Sequence, residues 1–260
     1  MYSIESLISI LQSQAPTNKS IDEIEGALNR IATGVSIPNS KRTELYNLVM
    51  RLKHKSQWRI KEEASKVADK IRRERLNEAR SFYMEHNEDV NHVKSSIDPN
   101  HEVVTTLVNT GMVLYQWCKM IEDEDGDGDV VLYDSKKDIC TIGKYFSTSP
   151  VSPESLGFFR AFDVYNTNGI YEGTGQQVCC RFVLPFSAPC LVSNAKATFD
   201  NWNAHHHYDG MAINKDENIG EIKVTKEPYK GIWTNGGAMQ VFIPLSDDQR
   251  KTLAKIAQFV

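Results

Sequence analysis

Apolar side chains recur every three or four positions through roughly the first 95 residues, the spacing that lines one face of a helix. This pattern predicts helices in SIDEIEGALNRIA, in NSKRTELYNLVMRLKHK and over residues 57–84. Ser20 and Glu23 have the spacing of a capping box, which satisfies free N–H groups at a helix start. The apolar side of the third helix carries Ile60, Ala64, Val67, Ile71 and Leu76. Residues 1–95 are therefore predicted to be a helical segment for targeting or partner binding.

From about residue 101 the pattern changes to short apolar runs separated by Gly, Pro, Asn and Asp. The runs GMVLYQW, DVVLYD, RAFDVYN, QVCCRFVLPF, EIKVTK and MQVFIPL are rich in β-branched and aromatic residues and predict strands. Short helices are predicted in SPVSPESLGFF and in the final SDDQRKTLAKIAQFV, the latter capped by Ser246 or Asp247. The predicted fold class is α+β: a helical N-terminal segment, then a mixed, mostly antiparallel sheet domain over residues 100–260.

Charge separates the same two parts. Residues 41–80 hold 13 Lys and Arg against 6 Asp and Glu, although the whole chain has a net charge of −4. The basic helix fits an anionic membrane surface, a contact with nucleic acid, or the solvated face of a helical bundle. Nucleic-acid binding is not expected in the acidic C-terminal part, where phosphates are repelled.

Composition limits the location of the protein. No apolar run reaches the roughly 18 to 20 residues that span a membrane, and the first residues lack the basic region of a Sec signal peptide. The five cysteines form no C-x-x-C pair and are expected to be reduced thiols. The expected location is the cytoplasm, or a target-cell cytosol reached by a non-Sec route.

An aromatic strand that ends in hydroxyls is the first candidate site. In GKYFSTSPVSP, Ser147, Thr148 and Ser149 follow Tyr145 and Phe146. Hydroxyls at a strand end can hold a ribose or a neighbouring carboxylate by hydrogen bonds. The alternative is a strand edge that runs into a Ser/Pro turn.

The acidic segment DEDGDGDVVLYD is a candidate Ca²⁺ loop. Asp123, Asp125 and Asp127 take positions 1, 3 and 5, and Asp134 takes position 12, where an EF-hand loop usually has a bidentate Glu. No clear helix pair flanks the segment. The alternative is an exposed acidic insertion between two strands.

The segment NWNAHHHYDG clusters three histidines. His205 and His207 have a spacing that allows chelation, but no further ligand group is evident. A polar contact to a ligand or an acid–base role for one histidine is the other interpretation, and a ribonuclease using this cluster is a third. Neither a G-x-S-x-G elbow nor a phosphate-binding glycine fingerprint occurs in the sequence.

Three motifs together give the C-terminal half a resemblance to a known family. The segments VLYQW, YFSTSP and NGGAMQVFIP resemble three motifs of the ADP-ribosyltransferase superfamily, and they occur in the same order along the chain. The resemblance covers roughly residues 105–245 and is greatest to NAD-glycohydrolase toxins of the tuberculosis necrotizing toxin type. It implies a toxin or effector that cleaves NAD as its substrate and releases nicotinamide. It also implies that a protein acceptor or an immunity protein is a partner.

The resemblance implies a role for each motif. Gln240 and Ser147 would be catalytic, with Gln240 at the scissile ribose and Ser147 orienting it. The residues implied in dinucleotide binding are Tyr115, Gln116, Tyr145, Thr148, Ser149, Arg160, His207, Trp233, Gly236 and Gly237. The two glycines would let backbone approach the dinucleotide closely.

Two departures from the family pattern bear on the reaction. Gln116 stands where such proteins have a phosphate-binding Arg, so Arg160 or Arg181 would supply the guanidinium. Phe242 stands where transferases have a second Glu. Its loss favours hydrolysis over transfer of ADP-ribose to a protein, which would require a carboxylate such as Glu221 or Glu227. A non-enzymatic calcium- or partner-binding module is the alternative from another class.

Overall fold

The structure, a computed structural model, describes residues 3–12, 18–55, 58–122, 130–156, 177–197, 199–200, 212–213, 224–225, 232–233 and 236–260. The chain divides into two compact units. Unit 1 comprises Met1–Ser81 and Pro99–Val103, and unit 2 comprises Phe82–Asp98 and Val104–Val260. The assignment of separate functions to residues 1–95 and 100–260 stays a prediction, whereas the structure places Phe82–Asp98 with the sheet.

Unit 1 is built from α-helices around one apolar core. Its helices are α1 (Ile4–Gln12), α2 (Asn18–Thr33), α3 (Asn39–Lys55) and most of α4 (Trp58–Glu85). The range of α3 is the predicted one, and α4 begins one residue after its predicted start. Helix α2 begins two residues before Ser20, the predicted capping residue.

The basic helix α4 buries its apolar side within unit 1. Ile60, Ala64, Val67 and Ile71 are each at most 3% exposed and belong to the core of that unit. An apolar face that is already packed is not available for insertion into a lipid surface. Among the described residues, no helix is both long and apolar enough to span a bilayer.

Unit 2 is organised by an antiparallel sheet of seven strands. Chain order gives β1 (Val104–Val108), β2 (Val113–Lys119), β3 (Ile121–Glu122), β4 (Val130–Val131), β5 (Tyr133–Asp134), β6 (Ile139–Cys140), β7 (Tyr145–Ser147), β8 (Gln177–Val183), β9 (Ala188–Asn194), β10 (Phe199–Asp200), β11 (Ala212–Ile213), β12 (Val224–Thr225), β13 (Ile232–Trp233), β14 (Met239–Phe242) and β15 (Gln258–Phe259). The large sheet has the order β1-β9-β14-β7-β2-β8-β15. The remaining strands form the two-stranded pairs β3–β4, β5–β6, β10–β13 and β11–β12. The described pairings are antiparallel throughout, so the chain is of the α+β class.

One face of the large sheet, the core face, packs on the apolar core of unit 2. Leu114, Phe146, Phe182 and Val241 lie on this face and are each at most 1% exposed. Helix α6 (Asp247–Ile256) adds the buried Leu253 to the same core. Successive side chains alternate between the two faces of a strand, so the residues between these core positions lie on the opposite face, the site face.

Two further elements belong to unit 2. The short helix α5 (Asn91–Ser96) lies between the end of α4 and β1 in the chain, and a 3-10 helix spans Pro153–Leu156 within the predicted helical stretch SPVSPESLGFF. The predicted cap of α6 is Ser246, whose side chain accepts a hydrogen bond from Gln249 N in a full capping box. All five cysteines are free thiols, as expected.

Candidate functional site

A row of polar side chains crosses the site face of the large sheet. Gln240 lies directly opposite Ser193 on one side and Ser147 on the other. Ser147 lies opposite Tyr115, Tyr115 opposite Arg181, and Arg181 opposite Gln258. Because directly opposed residues of antiparallel strands share a face, these six form one continuous polar row: Ser193, Gln240, Ser147, Tyr115, Arg181 and Gln258.

The amide of Gln240 has a fixed orientation. Its Nε2 donates to the Ser96 carbonyl oxygen at 2.8 Å and to Ser193 Oγ at 3.2 Å. A carbonyl oxygen can only accept, so the NH₂ end must face Ser96. Gln240 is 5% exposed, and within the described part of the chain no group donates to its Oε1. The oxygen is therefore an acceptor held in place and ready for a donor.

The hydroxyl of Ser147 is also free to accept a hydrogen bond. Its Oγ is 2.7 Å from the Ser149 carbonyl oxygen, to which it donates its single hydroxyl hydrogen. A hydroxyl that has donated its hydrogen still has lone pairs that can accept. Across β7 and β14, therefore, a serine acceptor and an amide acceptor lie on directly opposed residues, whose Cβ atoms are typically about 4.5–5.5 Å apart in such pairs.

Exposure increases along the row. Ser193 and Ser147 are each 2% exposed, Tyr115 and Arg181 are half-buried, and Gln258 is exposed. We call the buried end of the row, at Ser193, Gln240 and Ser147, the dry end. We call the more exposed end, at Arg181 and Gln258, the wet end. Hydrogen bonds and charges at the dry end are screened less by solvent than those at the wet end.

An aromatic cluster covers the site face beside the dry end. The ring of Phe242 stacks on Tyr83 at 4.3 Å between centroids and contacts Tyr145 at 5.0 Å. The hydroxyls of Tyr83 and Tyr145 are 2.5 Å apart. Burial raises the pKa of both phenols above the ordinary value, so both remain neutral near pH 7. Tyr145 therefore packs within the protein, next to the dry end.

Trp117 fixes the segment that follows Ser147. Trp117 is two residues after Tyr115 on the same face of β2, and its Nε1 donates to the Val151 carbonyl oxygen at 2.8 Å. Together with the bond from Ser147 to Ser149, this contact holds residues 148–151 beside the row. Thr148 and Ser149 are exposed there, which places their hydroxyls at the solvent side of the dry end.

Gln116, expected to contact the dinucleotide, lies on the core face instead. It is opposite Cys180 and is 7% exposed. The nitrogen and the oxygen of its amide both form hydrogen bonds with backbone groups. Its Nε2 donates to Tyr145 O at 2.5 Å, and its Oε1 accepts from Gly143 N at 2.9 Å. The alternation of β2 separates it from the polar row. Its amide therefore binds the backbone of Gly143 and Tyr145, and its contact with a dinucleotide stays a prediction.

The double glycine before β14 is explained by the chain itself. Gly236 has φ +62°, and a Cβ there would lie 2.3 Å from Ala197 N and 2.5 Å from Lys196 C. Gly237 has φ +87° but open space around its Cα, and its N–H donates to Ala195 O at 2.7 Å. A close approach of backbone therefore occurs between Gly236 and the residues that follow β9, and an approach to a dinucleotide stays a prediction.

Asp134, the last position of the candidate Ca²⁺ loop, stabilises a turn. Its Oδ1 accepts from the backbone N–H groups of Lys136 and Lys137 at 2.9 and 3.1 Å, and the residue is 2% exposed. Among the described residues, no group of three or more His, Cys, Asp or Glu side chains is placed to hold a metal ion.

Several predicted site residues lie outside the described residues. These are Asp123, Asp125, Asp127, Arg160 and His207. Trp233 is described only through its backbone in β13, which pairs with β10 and not with the large sheet. The calcium loop and the histidine contact therefore stay predictions.

Ser193 and Ser96 are contacts of Gln240 that the sequence patterns did not predict. Ser193 lies in β9, whose APCLVSN sequence was not predicted to be a strand. The sequence does contain a strand pattern here, because the apolar residues Ala188, Cys190 and Val192 recur at every second position. Ser96 contributes only a backbone oxygen, which no side-chain pattern can predict.

Comparisons with known proteins give no family for this chain. No protein-family model matches it, and no curated protein matches it. A chain from a solved structure of Tse6 in complex with Tsi6 is similar at 17% sequence identity and a TM-score of 0.38. The alignment covers 73% of this chain and 96% of that one. A likeness at this TM-score supports no inference about fold or function.

Proposed function

We propose that unit 2 is an NAD glycohydrolase that cleaves the bond between nicotinamide and ribose. The observation that supports this function best is the register of β7 with β14, which sets Ser147 directly opposite Gln240. The YFSTSP and MQVFIP motifs are far apart in the sequence, and VLYQW lies on the next strand, β2. The three motifs that resemble the ADP-ribosyltransferase superfamily are thus adjacent in the order β14-β7-β2, and we propose a sheet of that type.

The chemistry of the dry end fits a ribose. The vicinal 2′- and 3′-hydroxyls of a ribose are two adjacent hydrogen-bond donors. Gln240 Oε1 and Ser147 Oγ are two adjacent acceptors whose own hydrogens are committed to Ser96, Ser193 and Ser149. Pairing each acceptor with one hydroxyl holds the sugar in a fixed position, which lowers the entropic part of the barrier.

Hydrolysis then needs little covalent chemistry from the protein. The C1′–N bond breaks, nicotinamide leaves with the bonding electron pair, and water adds to C1′ and releases a proton. Positive charge develops on the ribose between these events. Acceptor oxygens beside the sugar stabilise that charge more effectively in a dry site than in water. The role of Gln240 and Ser147 is therefore to orient the ribose and water.

Hydrolysis is favoured over transfer of ADP-ribose to a protein by the residue two positions after Gln240. Phe242 shares the site face with Gln240, is 3% exposed and stacks on Tyr83. Transferases of the superfamily that this chain resembles have a carboxylate at that position, whereas in this chain an aromatic ring fills the space. In this proposal unit 1 serves targeting or partner binding, and an immunity protein is the expected inhibitor.

Release of nicotinamide from NAD by the purified protein tests the function. We expect turnover in the wild type and a loss of at least about 100-fold in Gln240→Ala and Ser147→Ala, as when an orienting polar group is removed from an active site. Thr105→Ala is the control, because it removes an exposed hydroxyl from the edge strand β1 of the same sheet. An inactive wild type, or equal activity in all variants, would contradict the proposal.

A further inference from the structure

We propose that two copies of this chain associate through β1, with β1 of one copy pairing antiparallel with β1 of the other. Strand β1 is the last strand on one side of the large sheet, and among the described strands its partner is β9. Pairing at its outer edge would join the two sheets into one continuous sheet. Because Gln240 and Ser147 lie on other strands, this association does not depend on the proposed function.

Two residues of β1 direct their backbone groups away from β9. Just after β9, Ala195 N donates at 2.8 Å to the carbonyl oxygen of the residue before β14. Successive residues point their backbone groups to opposite sides of a strand, so Cys190, five positions earlier, points toward β1. Cys190 lies opposite Thr106, and these two residues therefore bond to each other. The N–H and C=O groups of Thr105 and Leu107 consequently face the outer edge.

The outer edge of β1 is complementary to an identical strand. With Thr106 on the two-fold axis, Thr105 of one copy lies opposite Leu107 of the other, and the same pair recurs on the other side of the axis. Residues that are paired in this way exchange both of their N–H···O=C bonds. In the described part of the chain, no group bonds to the outward N–H and C=O of either residue. These groups therefore form a template for a second strand.

The side chains of β1 suit contact with the same strand of a second copy. Leu107 is 63% exposed and Val104 is 38% exposed, and Thr105 and Thr106 are exposed as well. In the pairing about Thr106, Val104 lies opposite Val108 of the other copy. The two Leu107 side chains become diagonal neighbours, about 7–8 Å apart. Pairing therefore removes apolar area from water, which favours association.

The lack of charge along β1 favours a second copy as the occupant of this edge. Residues 103–118 contain no Asp, Glu, Lys or Arg, and β1 pairs with β9 over five consecutive residues without a bulge. Lysines, prolines and bulges are the usual features that keep edge strands from pairing. Two identical strands bring any charge that they carry close to its copy, where like charges destabilise the pair. An uncharged strand such as β1 avoids this cost.

Sedimentation velocity of the full chain at increasing concentration tests the association. One short strand pair is smaller than the standard interface of about 1,600 Å², so we expect a dimer with Kd in the range of about 1–100 μM. Thr105→Pro removes an outward N–H but no bond to β9, a change that edge strands tolerate. We expect this variant to be folded and monomeric. Thr105→Ala is the matched control, because it keeps the N–H and should dimerise like the wild type.

A pair of charged variants tests the register. In a dimer of Leu107→Lys the two new ammonium groups are diagonal neighbours, and in a dimer of Thr105→Glu the two new carboxylates are, so each variant alone should dimerise more weakly than the wild type. In a mixture of the two, a lysine at position 107 lies directly opposite a glutamate at position 105. We expect the mixed dimer to be roughly 5-fold tighter than either dimer of one variant.

The outcomes separate this edge from other surfaces and other occupants. A wild type that stays monomeric up to about 200 μM, well above the expected Kd, would overturn the proposal, even if β1 were found to bind a strand of another protein. A dimer that persists in a folded Thr105→Pro variant would place the interface elsewhere and also overturn it. If Thr105→Pro does not fold, as urea denaturation would show, the two charged variants decide. Weaker dimers alone and recovery on mixing support pairing about Thr106, and no recovery on mixing contradicts it.

Discussion

Gln240 uses the nitrogen end of its amide to bind neighbouring residues, whereas no described group donates to its oxygen end. Its Nε2 is committed to Ser96 O and Ser193 Oγ, which fixes the direction of Oε1. A glutamine held in this way loses little further conformational entropy when it accepts a hydrogen bond from a ligand. Ser193 is therefore a positioning residue for the proposed reaction.

Ser193→Ala tests this positioning role. Removing the acceptor should cost about 1 kcal/mol of the free energy of unfolding, measured by urea denaturation. In the nicotinamide-release assay we expect kcat to fall while KM for NAD changes little, because Gln240 remains present but is less well oriented. Ser193→Thr keeps the hydroxyl and should restore kcat. A fall in stability with unchanged kcat would show a purely structural residue.

Gly236 and Gly237 provide a matched pair for backbone strain. Gly236→Ala would set a Cβ 2.3 Å from Ala197 N at φ +62°, so we expect a loss of about 3 kcal/mol or more in the free energy of unfolding. Gly237→Ala meets no atom within 4 Å and should cost only about 1–2 kcal/mol for its positive φ. Thermal or urea unfolding of both variants measures the difference, and equal losses would contradict the steric explanation.

At the scale of elements, helices were more predictable than strands. The range of α3 follows directly from its apolar spacing, and the capping box of α6 confirms Ser246 as the predicted cap. Strand β9 was not predicted, and its Pro189 is a residue that central strands rarely contain. The structure accommodates Pro189 because β9 pairs with β1 there, whereas its pairing with β14 begins only at Leu191.

The candidate site was predictable as a set of motifs but not as a surface. YFSTSP and MQVFIP contain residues that lie opposite each other in β7 and β14, and their role in a site stays a prediction. The face of each residue depends on register, and a shift of one residue reverses it. Gln116 and Tyr115 are neighbours in sequence, yet Gln116 faces the core and Tyr115 belongs to the polar row. Ser193 could be found only after β9 was paired with β14.

The capping box of α6 gives a prediction at this scale. Ser246 Oγ accepts from Gln249 N, and Gln249 Oε1 accepts from Ser246 N. We expect Ser246→Ala to lower the free energy of unfolding by about 1 kcal/mol, because a free N–H group at the helix start loses its partner. Ser246→Thr retains a capping hydroxyl and should lose less. Equal stability of Ser246→Ala and the wild type in urea would contradict this.

At the scale of the whole molecule, the sequence predicts two parts of different charge and fold, and the structure divides into two compact units. The boundary between the two units does not follow from composition, because Phe82–Asp98 belongs to unit 2 through its contacts. This segment supplies Tyr83 to the aromatic cluster and the Ser96 oxygen to Gln240. A helical pattern shows that such a segment is a helix but not which core it joins.

The buried phenols of unit 2 predict a loss of stability at high pH. Burial raises the pKa of Tyr83 and of Tyr145, so both stay protonated in the folded protein when an unfolded tyrosine, with a pKa of about 10, ionises. Their contribution to stability is full below about pH 10 and is lost as pH rises above it, by up to about 1.4 kcal/mol per pH unit for each group.

Urea denaturation between pH 8 and pH 11 measures this effect. The free energy of unfolding of the wild type should fall more steeply above about pH 10 than that of Tyr83→Phe, which cannot ionise at this position. Lysines titrate in the same range in both proteins, so the difference between the two curves isolates Tyr83. Parallel curves would show that the phenol ionises equally in the folded and unfolded chains.

The central place of β14 in the sheet has a consequence for folding. The hydrogen bond from Gln240 to Ser96 joins residues 144 positions apart, and β14 must insert between β9 and β7. Contacts of such long range form slowly, because closing a long loop costs entropy before any contact compensates for it. A chain emerging from the ribosome exposes the edges of β9 and β7 until residues 239–242 are made. The sheet, and with it the polar row, is completed only after β14 and β15 have been made.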